Sequence, residues 1–164
     1  RHTRKCYIKF MKRKKIKFAP REIFEQILEW AVIPAFDLVI EYGNKGVILV
    51  KRKIPPYKNV WALPGLRIYK GEGIEDTLKR IARQELGFKI DPRKRIYLGQ
   101  YVAKFKTEHN RQDISTGFLV RILDKQEIVL NSKHFSGWQI TRNTPRNTGA
   151  MYKFYLEQYR KLRR

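Results

Sequence analysis

Between Leu63 and Phe88 the chain reads LPGLRIYKGEGIEDTLKRIARQELGF, a proline–glycine turn, a glycine-bearing loop, an amphipathic run and a glycine stop. Ile74, Leu78, Ile81, Ala82 and Leu86 recur at the spacing of one helix face, which predicts a helix over 74–86. Gly87 suits the left-handed residue that closes such a helix. On the N-terminal side, FDLVIEY (36–42) and VILVKR (47–52) flank Gly43-Asn44-Lys45-Gly46 and read as a hairpin. On the C-terminal side, Arg95–Phe105 and Ile114–Leu123 are β-prone runs separated by the polar TEHNRQD, and GWQIT (137–141) is a short strand. A helix is expected at each end. The first covers Arg21 to Val32, apolar at 23, 24, 27, 28 and 31 and ended by Pro34. The second runs from Met151 to Leu162, with Met151, Phe154, Tyr155, Tyr159 and Leu162 toward the body. With neither an internal repeat nor a linker, this order predicts one α+β domain over 21–164, a mixed β-sheet flanked by helices, behind a basic N-terminal extension, 1–20.

Composition bounds what such a domain does. Its 164 residues bury one sizeable core, and 42% hydrophobic with 13% aromatic residues excludes a wholly disordered chain. No apolar run approaches the eighteen or so residues of a membrane-spanning helix. The single cysteine, Cys6, cannot form an internal disulfide, and no Cys/His set has zinc spacing. A soluble, cytoplasmic protein is the expectation. The chain opens on Arg1, so a trimmed start is expected, and Cys6 to Phe18 lacks the apolar core of an export signal. The net charge of +22 is uneven: residues 1–21 carry 10 basic and no acidic residues, and 142–164 carry 7 basic and one acidic. Such ends suit polyanions, nucleic acid among them, or serve as solvated tails.

The 63–88 stretch resembles the Nudix box, a loop–helix–loop motif with glycine, glutamate, arginine and a run of glutamates at set spacings. Glu72, Arg80, Glu85, Gly87 and Phe88 fall in register, after the usual Leu-Pro-Gly lead-in at Leu63-Pro64-Gly65. Leu66 stands where the box has glycine, and Ile81 and Gln84 where it has glutamates. Positions 81, 84 and 85 share one side of a 3.6-residue helix. Three carboxylates there would hold two or three Mg²⁺ against a diphosphate. One carboxylate with a carbonyl from the Pro64-Gly65 turn suits a single Mg²⁺.

From Arg21 through Gly87 the chain is similar to the GDP-mannose mannosyl hydrolase subgroup, which lacks the same two glutamates, uses one Mg²⁺ and cleaves carbon–oxygen at the sugar's C1. The resemblance implies a nucleoside diphosphate sugar as substrate, hydrolysed to a nucleoside diphosphate and the free sugar, in an enzyme that forms homodimers. It implies metal ligation by the Gly65 carbonyl and the Glu85 carboxylate. It places Arg52, Arg67 and Arg80 against the diphosphate and sugar, where a guanidinium fork suits phosphate oxygens, and Asp37 near the sugar. The subgroup's base is a histidine shortly before a tryptophan-bearing strand, preceded by a metal-binding glutamine. Here His134 precedes Trp138, and Lys133 replaces the glutamine.

Each assignment has a plainer counterpart. His134 is a base or a surface histidine; His109 is the competing base. Glu72 is a metal ligand or a partner of Arg80. Ile81 joins an apolar stripe with Ile74 and Leu78. Trp61 and Trp138 are expected to pack in the core or sheet rather than stack on bases, and the apolar N-terminal helix is a candidate dimer interface. Two other function classes fit the same box: a Nudix phosphohydrolase cleaving P–O in nucleotides or capped RNA, and a catalytically weak module binding RNA or nucleotides.

Overall fold

The computed structural model describes residues 18–107 and 109–163; the basic segment through residue 17, with His2 and Cys6, lies outside them. Helix α1 (Arg21–Trp30) leads into β1 (Ile33–Tyr42), β2 (Gly46–Arg52), β3 (Trp61–Ala62) and β4 (Gly65–Arg67). Helix α2 (Ile74–Leu86) follows, then a 3-10 turn at Pro92–Lys94, β5 (Ile96–Lys104), β6 (Gln112–Ile122), β7 (Phe135–Thr141) and α3 (Ala150–Lys161).

The strands form one mixed sheet in the order β3-β2-β1-β6-β5, with β4 beside β1 and β7 beside β2. β1 runs parallel to β6 through ten consecutive residue pairs and antiparallel to β4, and with α2 and α3 packed against it, it is buried over most of its length. That explains its nearly unbroken apolar run. Alternation along β1 sorts the layers. Even-numbered Phe36 and Tyr42 meet Phe118 and Phe88 on the α2 face, while odd-numbered Asp37 and Glu41 turn toward α3, whose Tyr159 hydroxyl donates to Glu41 Oε1 over 2.8 Å. On that face Gly117 makes room for Tyr155, whose ring a β-carbon would strike.

Helix α2 matches the expected span, and Gly87 closes it at φ 74°. Three expectations, on Pro34, Leu162 and Trp138, are corrected. Pro34 does not terminate α1; the helix ends at Trp30, and Pro34 sits inside β1 as a residue whose carbonyl accepts Ile68 N–H. α1 buries none of its residues, and its Ile23, Ile27 and Trp30 are exposed. On α3 the buried set is Met151, Tyr152, Tyr155, Leu156 and Tyr159, whereas Leu162 lies past the helix end and is exposed. Trp138 is 44% exposed on β7, while Trp61 does pack against the core. No helix among the described residues is long and apolar enough to cross a membrane.

Candidate active site

Two groups of polar residues emerge where the strands and α2 end. The first is centred on Glu85. Its side chain is 1% exposed, as expected for the last turn of a helix packed on the sheet, yet it is a carboxylate. Burial of an ion is tolerated only with partners, and the segment leading into β7 supplies them. Val129 N–H and Asn131 N–H donate to the Leu86 and Glu85 carbonyls, laying this segment along the end of α2. The Asn131 side-chain amide then donates to Glu85 Oε1 over 3.0 Å. His134 Nδ1 lies 2.9 Å from Oε1 and 3.1 Å from Oε2. With Nδ1 carrying its proton toward the carboxylate, Nε2 is the free lone pair. The His134 side chain is 33% exposed, so the ring spans from the buried carboxylate to solvent.

The second group surrounds Asp37. β4 pairs with β1 so that Gly65 lies opposite Asp37. A β-carbon on Gly65 would collide with Asp37 Oδ1 and stand 2.8 Å from the Phe36 carbonyl, so only glycine admits the carboxylate there. Ser115 Oγ donates to Asp37 Oδ2, and the Tyr155 hydroxyl donates to the Ser115 carbonyl over 2.8 Å. Burial pushes the Asp37 carboxyl up to about 7, against the opposing pull of the Ser115 hydroxyl and the Arg52 charge.

Arg52 links the two groups. It ends β2 opposite Phe135 of β7, and the next residue, Lys53, donates its N–H to the His134 carbonyl. Its guanidinium donates to the Tyr57 and Pro55 carbonyls at 3.2 and 2.9 Å, which ties down the 53–57 turn. Its charge also reaches Asp37 and Tyr152.

The remaining sequence-predicted residues each have partners of their own. Arg80 is buried: Nε and Nη2 grip Glu72 at 2.6 and 2.7 Å, Nη2 also reaches the Arg67 carbonyl, and the guanidinium stacks 3.8 Å over the Tyr69 ring. Glu72 has both oxygens engaged, Oε2 also accepting Tyr69 N–H and Thr77 Oγ–H at 3.0 Å. Burial acts to raise its pKa, but these donors together hold it below the ordinary carboxylate value. This pair therefore pins the 68–73 loop to α2, the plainer of the two expectations for Glu72. Arg67 lies 4.1 Å over the Phe24 ring of α1. His109 pairs with Glu29 of α1 at 3.4 Å. Ile81 is fully buried in the apolar stripe.

The donor set fits one hard cation rather than several. Glu85 is a single carboxylate whose two oxygens carry about four lone pairs, and among the described residues no three His, Cys, Asp or Glu side chains converge as a metal cluster. Mg²⁺ commonly takes one or two protein carboxylates and keeps several waters.

The NUDIX domain profile matches residues 32–156. The chain belongs to the NUDIX family. Among curated relatives, this Nudix chain is 28% identical over 120 residues to the low-salt glycan biosynthesis protein Agl8 of Haloferax volcanii, covering 70% of this chain and 74% of that protein. It is 39% identical over 67 residues to an ADP-ribose pyrophosphatase of Methanocaldococcus jannaschii, covering 41% of this chain and 38% of that enzyme. The Nudix fold is shared with the NUDIX domain of Shewanella oneidensis NrtR, solved with ADP ribose, at a TM-score of 0.66 and 17% identity, over 82% of this chain and 90% of that one.

Sequence reasoning missed Asn131, Ser115 and Tyr155. Asn131 left a faint trace, since an asparagine two residues before Lys133 is a turn former whose Oδ1 accepts Lys133 N–H at 3.2 Å.

Proposed function

We propose that this Nudix hydrolase acts on a nucleoside diphosphate sugar, cleaving the anomeric C–O bond to release the nucleoside diphosphate and the sugar. The observation that carries the reading is the contact of His134 Nδ1 with Glu85 at 2.9 Å, beside a helix that has exchanged two further box carboxylates for Ile81 and Gln84. Attack on phosphorus by metal-bound hydroxide calls for a carboxylate cluster. Attack at an anomeric carbon passes through an oxocarbenium-like state. It asks for neutralisation of the leaving diphosphate and one positioned base. The likeness to a glycan biosynthesis protein agrees with a sugar-bearing substrate.

The Glu85 carboxylate and the Gly65 carbonyl would hold a divalent ion of the kind Nudix hydrolases generally use, such as Mg²⁺, which when bound would neutralise charge on the leaving diphosphate. Arg52 and Arg67 offer guanidinium donors to phosphate oxygens. His134 Nε2 takes a proton from water as the water oxygen bonds to the anomeric carbon; the C–O bond breaks and its electron pair leaves with the diphosphate. Glu85 holds the imidazole by Nδ1 and stabilises the imidazolium that forms. Asp37, buried against Gly65 and Ser115 with its carboxyl pushed up to about 7, backs the sugar end of the site. Arg80 and Glu72 act by pinning the 68–73 loop, with Arg80 also holding the Arg67 carbonyl at the end of β4.

The 67-residue likeness to an ADP-ribose pyrophosphatase favours a second reading, P–O cleavage of a related diphosphate. Hydrolysis of a nucleoside diphosphate sugar in ¹⁸O-labelled water separates the two. Label in the sugar supports C–O cleavage; label in the phosphate overturns it.

A further inference from the structure

We infer that Asn131 is a positioning residue that sets the ring of His134 for catalysis, a role that rests on the reading of His134 as base. Asn131 is tied at every polar atom. Its N–H donates to the Glu85 carbonyl, and its own carbonyl accepts the N–H groups of His134 and Phe135, each at 3.0 Å. Its Oδ1 accepts Lys133 N–H at 3.2 Å. That bond settles which end of the side-chain amide is oxygen, so Nδ2 faces Glu85 Oε1 at 3.0 Å.

The consequence is chemical. Nδ2 stands 3.2 Å from His134 Nδ1 and carries only hydrogens, so it cannot accept a proton from the ring. Among the described residues the only acceptor the ring nitrogen meets is the Glu85 carboxylate, at 2.9 and 3.1 Å to its two oxygens. Asn131 thus caps one carboxylate oxygen, holds the carboxylate from turning, and leaves the Nδ1–H form of the ring as the one that satisfies all three groups. Nε2 remains unprotonated on the side away from Glu85. Outer partners of this kind typically contribute 10–100-fold to activity. The same backbone bonds seat His134 in register with the end of β2, where Lys53 N–H reaches the His134 carbonyl at 3.0 Å.

Two substitutions divide the donor from the turn. Asn131→Ala removes both the Oδ1 acceptor and the Nδ2 donor. Asn131→Asp keeps an acceptor for Lys133 N–H but turns an acceptor toward Glu85. The readouts are ¹⁵N chemical shifts of the imidazole nitrogens in the metal-free protein, with His134 assigned by its absence in His134→Ala, and kcat and KM on a nucleoside diphosphate sugar. In the wild type the neutral ring is expected as Nδ1–H. Both Asn131 variants are expected to show a mixed tautomer and a kcat lowered roughly 10–100-fold, with KM unchanged. A wild-type tautomer pattern and wild-type kcat in Asn131→Asp would overturn the role and leave Asn131 as a turn former. Should the wild type fail to hydrolyse any nucleoside diphosphate sugar, the proposed function falls, and the ¹⁵N pattern by itself decides for or against Asn131.

Discussion

His134 Nδ1 stands 2.9 Å from Glu85 Oε1, joining two residues 49 positions apart into a carboxylate–imidazole pair. A carboxylate that holds one ring nitrogen sets the tautomer and stabilises the charge the ring acquires, the logic by which hydrolases orient a histidine base. His134→Ala is therefore expected to lower kcat by roughly 10²–10⁴-fold while KM stays near the wild-type value. Steady-state kinetics on a nucleoside diphosphate sugar checks it, and a loss below about tenfold would remove His134 from the base position.

Under the proposed function Glu85 would serve the ring and a bound divalent ion alike. Glu85→Gln keeps the shape and an oxygen for Asn131 but removes the charge. Turnover is expected to fall beyond detection, and Mn²⁺ binding, followed by electron paramagnetic resonance, to weaken in parallel. A variant that binds Mn²⁺ like the wild type would take the metal away from Glu85.

Glu72 and Arg80 form a buried pair, with side chains 8% exposed on each partner. Removing one partner of such a pair typically costs ~3–5 kcal/mol, because the other charge is stranded. Glu72→Gln and Arg80→Ala should both show this loss in urea unfolding at pH 7. The pH dependence has a definite sign. Glu72 is held below its ordinary value of 4.5, so its contribution is complete above that pH and fades as the pH falls through the lower folded value. The gap between wild type and Glu72→Gln is expected to narrow in acid; a constant gap would detach the stability from this ionisation.

Gly65 is required by its neighbours, since a β-carbon there meets Asp37 Oδ1 and the Phe36 carbonyl. Gly65→Ala should destabilise the fold by about 1–3 kcal/mol, the usual cost of forcing atoms into a filled space. Thermal unfolding checks this. Adding Asp37→Ala should recover only part of the loss, because the Phe36 carbonyl at 2.8 Å is backbone and stays in place. Complete recovery would show that the side chain alone set the limit.

The NUDIX relation and the helix were legible in the chain itself, because both are local. Ile74 to Leu86 repeats with the helix period, and Gly87 supplies the left-handed residue that stops it, so the 74–86 boundaries need no tertiary information. Gly65, Glu72, Arg80 and Glu85 were picked out by the resemblance to the box, which is carried by the same local stretch. Their partners were decided by the fold. Spacing puts a glutamate and an arginine on one loop and helix, but only the closed loop shows that Arg80 spends its guanidinium on Glu72, Tyr69 and the Arg67 carbonyl. Likewise the apolar rhythm of α1 marked a helix without revealing that its apolar face stays exposed. The contacts that build the candidate site span 46 residues from Asn131 to Glu85, 49 from His134 to Glu85 and 78 from Ser115 to Asp37. Periodicity is a property of neighbours along the chain. The demand that a buried carboxylate find donors is met by whichever segment the packing brings past it, and that segment was visible only once β7 had paired with β2 and drawn the Asn131–His134 turn across the end of α2.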